Sequence, residues 1–572
     1  MISPWCLDCE VDVLAVDLRE MPVVVREGGR VALVQASEHV RIQPGFAASM
    51  KRLCGLASWT GEGLTAALAF LELDFTLALL DLEAGGASFA AGHRSSKQWF
   101  WQLAGNTLQL RDSLPRPESR ADALARLDER RLHSFIASGW ATGPFEYSDS
   151  PHSIDRDWMR IPSGMHMQLG ARGRDISLAA FDNIFSDLDE VGTAVDAAQA
   201  LRDAVTDHLT RLAGTGPLCS EFSGGIDSGI AIVSARRELP DHFIAGLACQ
   251  YPYSEFQREA LYRDAIATHA GIDTRALAPE GFLPFSSLDT VPPHDEPTLV
   301  STSWCQFQSS TRTAASLGAR VVLTGHGGDT LFRFGPDMPL SAHIHADAAT
   351  WFPRELANHI GEQAHHIAAH LNGVSAQAMG GWWHPAMFDP GLPARFVASA
   401  GIDVNLVSGL VSRDTLRAAA RLWRTCPVLA TNVQKPFAHH VFGDLLPDLV
   451  WARAGKVDHL GTVYRGVRQA GPALARLIDD NAACLAGLGV TASALHRFLR
   501  GAVRGEDSGN PVFSQLLAIL IWLDQFQAGR PSPPPAQYRA RWSAAREDSG
   551  AIERGAQPRA FFKEEDSKRP NE

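Results

Sequence analysis

Two textures of apolar and polar positions divide the chain. Up to about residue 185 the apolar positions fall in short runs rich in β-formers, as at 11–16 and 75–82. Residues 100–103 and 107–110 flank Gly105-Asn106, which predicts a hairpin. Helical periodicity in this half is confined to stretches such as 119–138. The pattern predicts a sandwich-like α+β domain over 1–185. From about Val195 the texture changes. Residues 195–212 read as one amphipathic helix, and 243–247 and 320–323 as core strands. Strands alternating with helices are the mark of a parallel sheet covered on both faces. An α/β domain is therefore expected over 195–528, largely helical beyond Pro339. From Gly529 the chain turns rich in proline and then in charge, too poor in apolar area to offset chain entropy, so 529–572 is expected to be a disordered tail.

Composition removes several classes of function. A length of 572 residues fits two domains with additions. A net charge of −12 leaves no basic surplus to neutralise phosphates, which argues against a nucleic-acid partner. Eight cysteines in so long a chain make no disulfide framework, and Cys6 and Cys9 form a lone Cys-x-x-Cys without the second pair that zinc requires. No basic start followed by an apolar core marks a signal peptide. No uninterrupted apolar run reaches the roughly 18 residues of a membrane span. A cytoplasmic protein with no membrane partner is the expectation.

The chemistry concentrates at Glu221-Phe222-Ser223-Gly224-Gly225-Ile226-Asp227-Ser228-Gly229-Ile230. The apolar lead-in 217–219 reads as a buried strand and 230–237 as a helix. Strand, glycine turn and helix together aim backbone N–H groups and the positive end of a helix at an anion. Gly224 and Gly225 permit close backbone approach. Ser223 and Ser228 add hydroxyl donors, and Asp227 is placed to hold a divalent cation between phosphates. The stretch lacks both the Lys-bearing nucleotide loop and the three-glycine dinucleotide fingerprint. Ser-Gly-Gly-Ile-Asp-Ser resembles instead the pyrophosphate loop of enzymes that split ATP between its α and β phosphates.

A second strand-to-glycine turn follows about a hundred residues later, at Val321-Val322-Leu323-Thr324-Gly325-His326-Gly327-Gly328-Asp329-Thr330. Strands of one parallel sheet deliver their C-terminal turns to the same edge, so Asp227 and Asp329 can meet over one metal ion. Between the two, His294-Asp295-Glu296-Pro297 reads either as an acid or base on a loop or as a polar turn ended by proline. Residues 432–437 and 446–456 bracket a short helix, with Lys456 after Gly455 in a loop. Glu362, His366 and His370 share one helical face, but without further converging ligands they read as a solvated surface.

Taken in order, Ser223 to Ser228, Asp295-Glu296-Pro297, Gly325 to Asp329 and the Lys456 loop resemble the asparagine-synthetase-like family. It includes asparagine synthetase B, β-lactam synthetase and the lasso-peptide macrocyclases. The stretches 75–82, 89–94, 99–101 and 161–166 look like that family's N-terminal domain. The resemblance implies a degenerate glutamine-amidotransferase-like (Ntn-type) sandwich followed by a PP-loop ATP pyrophosphatase domain. A working glutaminase of the family exposes an N-terminal cysteine as nucleophile, whereas position 2 here is Ile2. His326 and Thr330 stand where asparagine synthetases usually carry Glu. Both departures point away from ammonia as the acceptor, and the Gly-Gly-Asp turn and divergent N-terminal half resemble the lasso cyclases most.

The resemblance implies Mg2+ and ATP as cofactors. Ser223, Gly224, Gly225, Asp227, Ser228, Gly325 and Gly327 would lie around the nucleotide, Asp227 and Asp329 on magnesium. Lys456 would offset charge on pyrophosphate or on the tetrahedral intermediate, and Glu296 would be a second catalytic group. The reaction would adenylate an Asp or Glu side chain of a leader-free core peptide and close a macrolactam with its N-terminal amine. Implied partners are the precursor peptide, a leader-peptide protease and a leader-recognition protein. A small-molecule ligase of the β-lactam-synthetase or asparagine-synthetase kind, or an inactive peptide-holding scaffold, is the alternative.

Overall fold

The computed structural model describes residues 5–10, 13–18, 22–36, 38–43, 45–56, 71, 73–81, 83, 86–92, 98–142, 151–170, 174–180, 192–249, 257–332, 348–379, 391–426, 435–453, 460–506, 511–526 and 538–543. The N-terminal half carries β1 (Trp5–Glu10), β2 (Val13–Leu18), β3 (Val23–Glu27), β4 (Arg30–Ala36), β5 (Phe75–Asp81) and β6 (Gly86–Ala91). It continues with β7 (Phe100–Ala104), β8 (Thr107–Arg111), β9 (Met159–Arg160), β10 (Met165–Leu169) and β11 (Arg174–Ala180). One sheet runs β1-β11-β10-β6-β5-β4-β3 and packs face to face on a second that contains β2-β8-β7-β9. Side-chain alternation sets this arrangement. Ala78 and Leu80 of β5 enter the core between the sheets, while Phe75, Leu77 and Leu79 turn outward onto the helix Phe46–Cys54. A strand buried on both faces reads as a continuous apolar run, as β5 does. The hairpin at Gly105-Asn106 forms between β7 and β8 as the sequence expects.

Later in the chain come β12 (Leu218–Glu221), β13 (Phe243–Cys249), β14 (Thr274–Leu277), β15 (Val321–Thr324) and β16 (Asn405–Ser408). They form one all-parallel sheet in the order β14-β13-β12-β15-β16. Helices Ala194–Ala213, Ile226–Glu238 and Arg413–Thr425 cover one face, Trp304–Ser316 and Gly391–Ser399 the other. The expected helix at 195–212 is present, with a Thr193–Asp196 capping box at its start. β16 lies inside the region read from sequence as largely helical. Four residues are too few to show a period, and only pairing with β15 makes them a strand.

A third apolar core, built on the helices Arg354–Met379, Leu460–Asp480, Ala492–Arg504 and Pro511–Asp524, also takes in Leu127, Leu132, Phe135 and Ile136 from the N-terminal half. The halves therefore share a core. Of the expected tail only Tyr538–Ser543 is described: as β17 it pairs antiparallel with β2 at the edge of the second sheet. Among the described residues no helix is long and apolar enough to cross a membrane.

Candidate active site

β12 and β15 are neighbours at the centre of the parallel sheet, and the strand order runs outward from them in opposite directions. That is the topological switch point, where the turns leaving adjacent strands part and open a crevice at their C-terminal ends. Both glycine turns leave the sheet here. The helix Ile226–Glu238 starts at Gly225, and its residues Ile230 to Ala235 are buried, so its N-terminus is held fixed against the sheet. Gly224 has φ of 92°, and a Cβ there would fall 2.4 Å from the Glu259 carbonyl oxygen, so no other residue fits.

The two turns pack directly on each other. A methyl at Gly325 would lie 2.8 Å from the Ser228 nitrogen, and one at Gly328 would lie 2.4 Å from Cγ of Asp227. Glycine at these two positions is what lets the second turn close over the first. The hydroxyls of Ser223 and Ser228 lie 3.0 Å apart, and Ser223 also accepts from the Gly225 N–H at 3.2 Å. Below the second turn, Ser408 at the end of β16 donates to the His326 carbonyl oxygen at 2.7 Å. The missed strand thus supports a predicted turn.

Asp227 and Asp329 converge as expected, but a lysine lies between them. Lys435 Nζ is 2.6 Å from both carboxylate oxygens of Asp227 and 2.6 Å from Oδ1 of Asp329. The ammonium comes from the residue just before Pro436, which opens the helix Pro436–Phe442. Lys435 is only 4% exposed. It lies within the stretch 432–437 already singled out, yet a lone lysine before a proline carries no signal of two partners that are 106 and 208 residues away.

The carboxylate pair passes one test of a cation site, since a single cationic point satisfies both groups. Among the described residues no three His, Cys, Asp or Glu side chains cluster as a self-sufficient metal site. Two carboxylates without a third ligand suit magnesium, which usually keeps waters and takes the rest of its shell from substrate phosphates. Asp227 and Asp329 would hold it, with Gly325 and Gly327 in the adjoining turn.

Glu296 is committed elsewhere. Its carboxylate lies 3.4 Å from Arg131 and 3.1 Å from Arg160, and accepts the Ile154 N–H at 2.8 Å. Burial would raise this carboxyl, but the Arg131 and Arg160 guanidiniums outweigh burial and hold it below the ordinary 4.5. Its neighbours play the same part. Asp295 accepts from the Leu114 N–H at 3.0 Å and, through its carbonyl, from Trp522 Nε1 at 3.0 Å. His294 exchanges two bonds with Gln525. The turn read either as an acid or base or as a polar turn ended by proline thus joins the N-terminal half to the helix Pro511–Asp524, with Glu296 paired to two arginines. An acidic turn of this kind looks the same in sequence whether its partners are substrates or buried arginines.

Lys456 lies outside the described residues. Arg453, three residues before it, donates to the Gly224 carbonyl oxygen at 3.3 Å and pairs with Glu259. Its guanidinium also stacks over Tyr262 at 4.8 Å. Glu362 and His366 are exposed on the helix Arg354–Met379, in keeping with a solvated face, and the side chain of His370 lies outside the described residues.

One group named in the sequence reading was given no role there. Glu221 ends β12, immediately before the first turn, and faces the helix Trp304–Ser316, where Ser310 donates to it at 2.9 Å. Burial pushes its carboxyl up to about 7, and the Ser310 bond offsets only part of that rise. On the same helix Phe307 meets the His326 ring edge-on, with centroids 6.3 Å apart.

The site is thus a parallel sheet with two glycine turns and an acidic pair at its switch point. Residues 196–424 match the Asparagine synthase family. The matched stretch includes both turns and ends before Lys435 and Lys456. It supports an asparagine-synthetase-like domain over those residues. No curated protein sequence matches the chain at a significant level.

Proposed function

We propose that this protein is an ATP-dependent lasso-peptide cyclase. On this reading 1–185 is a degenerate glutamine-amidotransferase-like sandwich of Ntn type, and 195–528 is a PP-loop ATP pyrophosphatase domain. The observation that carries the ligase chemistry is the meeting of Asp227 and Asp329 on one cation point, 2.6 Å from each carboxylate, beside the N-terminus of the helix Ile226–Glu238. Mg-ATP supplies an α-phosphorus open to attack by a substrate carboxylate, so that the carboxyl oxygen can later leave as AMP.

The chain's own groups supply the rest. The N–H groups at the helix start and the Ser223 and Ser228 hydroxyls would serve the phosphates, because a helix N-terminus favours negative charge. Asp227 and Asp329 would hold the metal. Arg453 anchors the strand of chain that leads to Lys456 against Gly224. Lys456, three residues further along, would neutralise charge on the leaving pyrophosphate. Fixed charge of this kind acts most strongly where water is excluded. The amine that displaces AMP belongs to the N-terminus of the same peptide. Holding both groups together makes this step effectively unimolecular, worth roughly 7–11 kcal/mol of barrier in well-oriented cases. The partners are the precursor peptide, the leader-peptide protease and the leader-recognition protein.

The test is mass spectrometry of a precursor peptide incubated with the enzyme, its protease partner and Mg-ATP. The expected product is the released core lighter by one water, with AMP and pyrophosphate formed. The loss should vanish when the core's N-terminus is acetylated. ADP and phosphate as products would refute adenylation. A product that joins two separate molecules would refute cyclisation and favour the small-molecule ligase.

A further inference from the structure

We infer that Lys435 is a tethered counter-cation that occupies the metal point of the Asp227–Asp329 pair and must withdraw when a divalent ion binds there. The inference rests on reading this edge as a magnesium-nucleotide site. Three contacts of 2.6 Å tie one ammonium to both carboxylates, at the short end for charge-assisted bonds. The side chain of Lys435 is 5% exposed, against 18% for Asp227 and 28% for Asp329. The lysine therefore approaches from the protein side, while the aspartates look onto the crevice from which a ligand would come.

Two like-charged carboxylates at this range repel each other, and a bound cation is what lets both stay ionised. With Lys435 between them the pair is held in its metal-binding geometry before any metal arrives. A divalent ion in the same place would put three positive charges against two negative ones within about 3 Å, so ammonium and metal exclude each other. Lysine suits such a part. Its charge sits on a flexible four-carbon stem, so the ammonium can turn from the carboxylates to an incoming phosphate oxygen without movement of the backbone. Arginine, with a rigid fork, would stay with the carboxylates. Metal alone then binds poorly, and metal bound to nucleotide binds well because the phosphates take over the displaced ammonium. Lys435 is thus a positioning residue that makes metal binding depend on nucleotide.

The experiment titrates Mn2+ into the nucleotide-free full-length protein and counts free ion by electron paramagnetic resonance. Wild type should bind Mn2+ weakly. Lys435→Met should bind it tighter by roughly tenfold or more, since one unit of opposing charge has gone. Lys435→Arg should stay as weak as wild type, which a merely looser structure would not produce. Lys435→Gln keeps most of the stem and serves the same comparison should the Met variant fail to fold. Addition of ATP should tighten Mn2+ binding in wild type more than in Lys435→Met. Equal Mn2+ affinity in wild type and the neutral variants, or a gain in Lys435→Arg equal to that in Lys435→Met, would overturn the inference. Such a result leaves the ligase reading standing, because pyrophosphate release tests that reading separately.

Discussion

Replacing Glu221 with glutamine isolates the energetic consequence of a carboxyl buried at the mouth of the site. The carboxyl rises from an ordinary 4.5 to about 7 because burial disfavours its charged form, with Ser310 returning only part. A raised value means that the folded state holds a proton which the unfolded chain has already lost. That contribution to stability is complete below pH 4.5 and is lost as pH rises through about 7. At about 1.4 kcal/mol per pH unit, the rise corresponds to a loss on the order of 3 kcal/mol across that window. Glu221 keeps partial contact with solvent, so this is an upper bound. Glu221→Gln retains shape and an acceptor for Ser310 but cannot ionise. Its stability should match wild type near pH 4.5 and exceed it by a growing margin up to pH 8, approaching about 3 kcal/mol. Urea unfolding of both proteins across this range, followed by tryptophan fluorescence, gives the difference directly. Parallel stability curves would show that Glu221 titrates as an ordinary surface carboxyl and would refute the reasoning.

Three other outcomes follow from the same geometry. Asp329→Asn should reduce pyrophosphate release from ATP by at least about a hundredfold, because it removes charge from one of the two carboxylates that meet at the cation point; unchanged release would move the metal elsewhere. Glu296→Ala should destabilise the protein by about 3–5 kcal/mol, since it leaves Arg131 and Arg160 buried without their partner. Because the Glu296 carboxyl is held below 4.5, its contribution is present at neutral pH and is lost on acidification through that lowered value. A normal denaturation midpoint with a selective loss of turnover would restore the catalytic role. Gly328→Ala should keep the fold but abolish nucleotide binding, as a methyl 2.4 Å from Cγ of Asp227 must push that side chain aside; intact binding by calorimetry would show that the two turns do not need to touch.

Much of the architecture was legible in the chain because the relevant signals are local. A continuous apolar run such as β5 and the change at Val195 from strand texture to alternating helices depend on neighbours a few positions apart. The two glycine turns were legible for the same reason, because strand, glycine and carboxylate stand next to each other in sequence. Even the meeting of Asp227 with Asp329 followed from a rule about parallel sheets and needed no coordinates. What the tertiary structure alone decided involves partners far apart in the chain. β16 and β17 are strands only through the strands that receive them, and four or six residues carry too little period to say so. Glu296 is tied to buried Arg131 and Arg160 across the two halves, and Lys435 meets Asp227 and Asp329 because the fold carries it to carboxylates over a hundred residues away. The charge on a side chain is written in the sequence, but what that charge does is set by the groups that burial leaves around it.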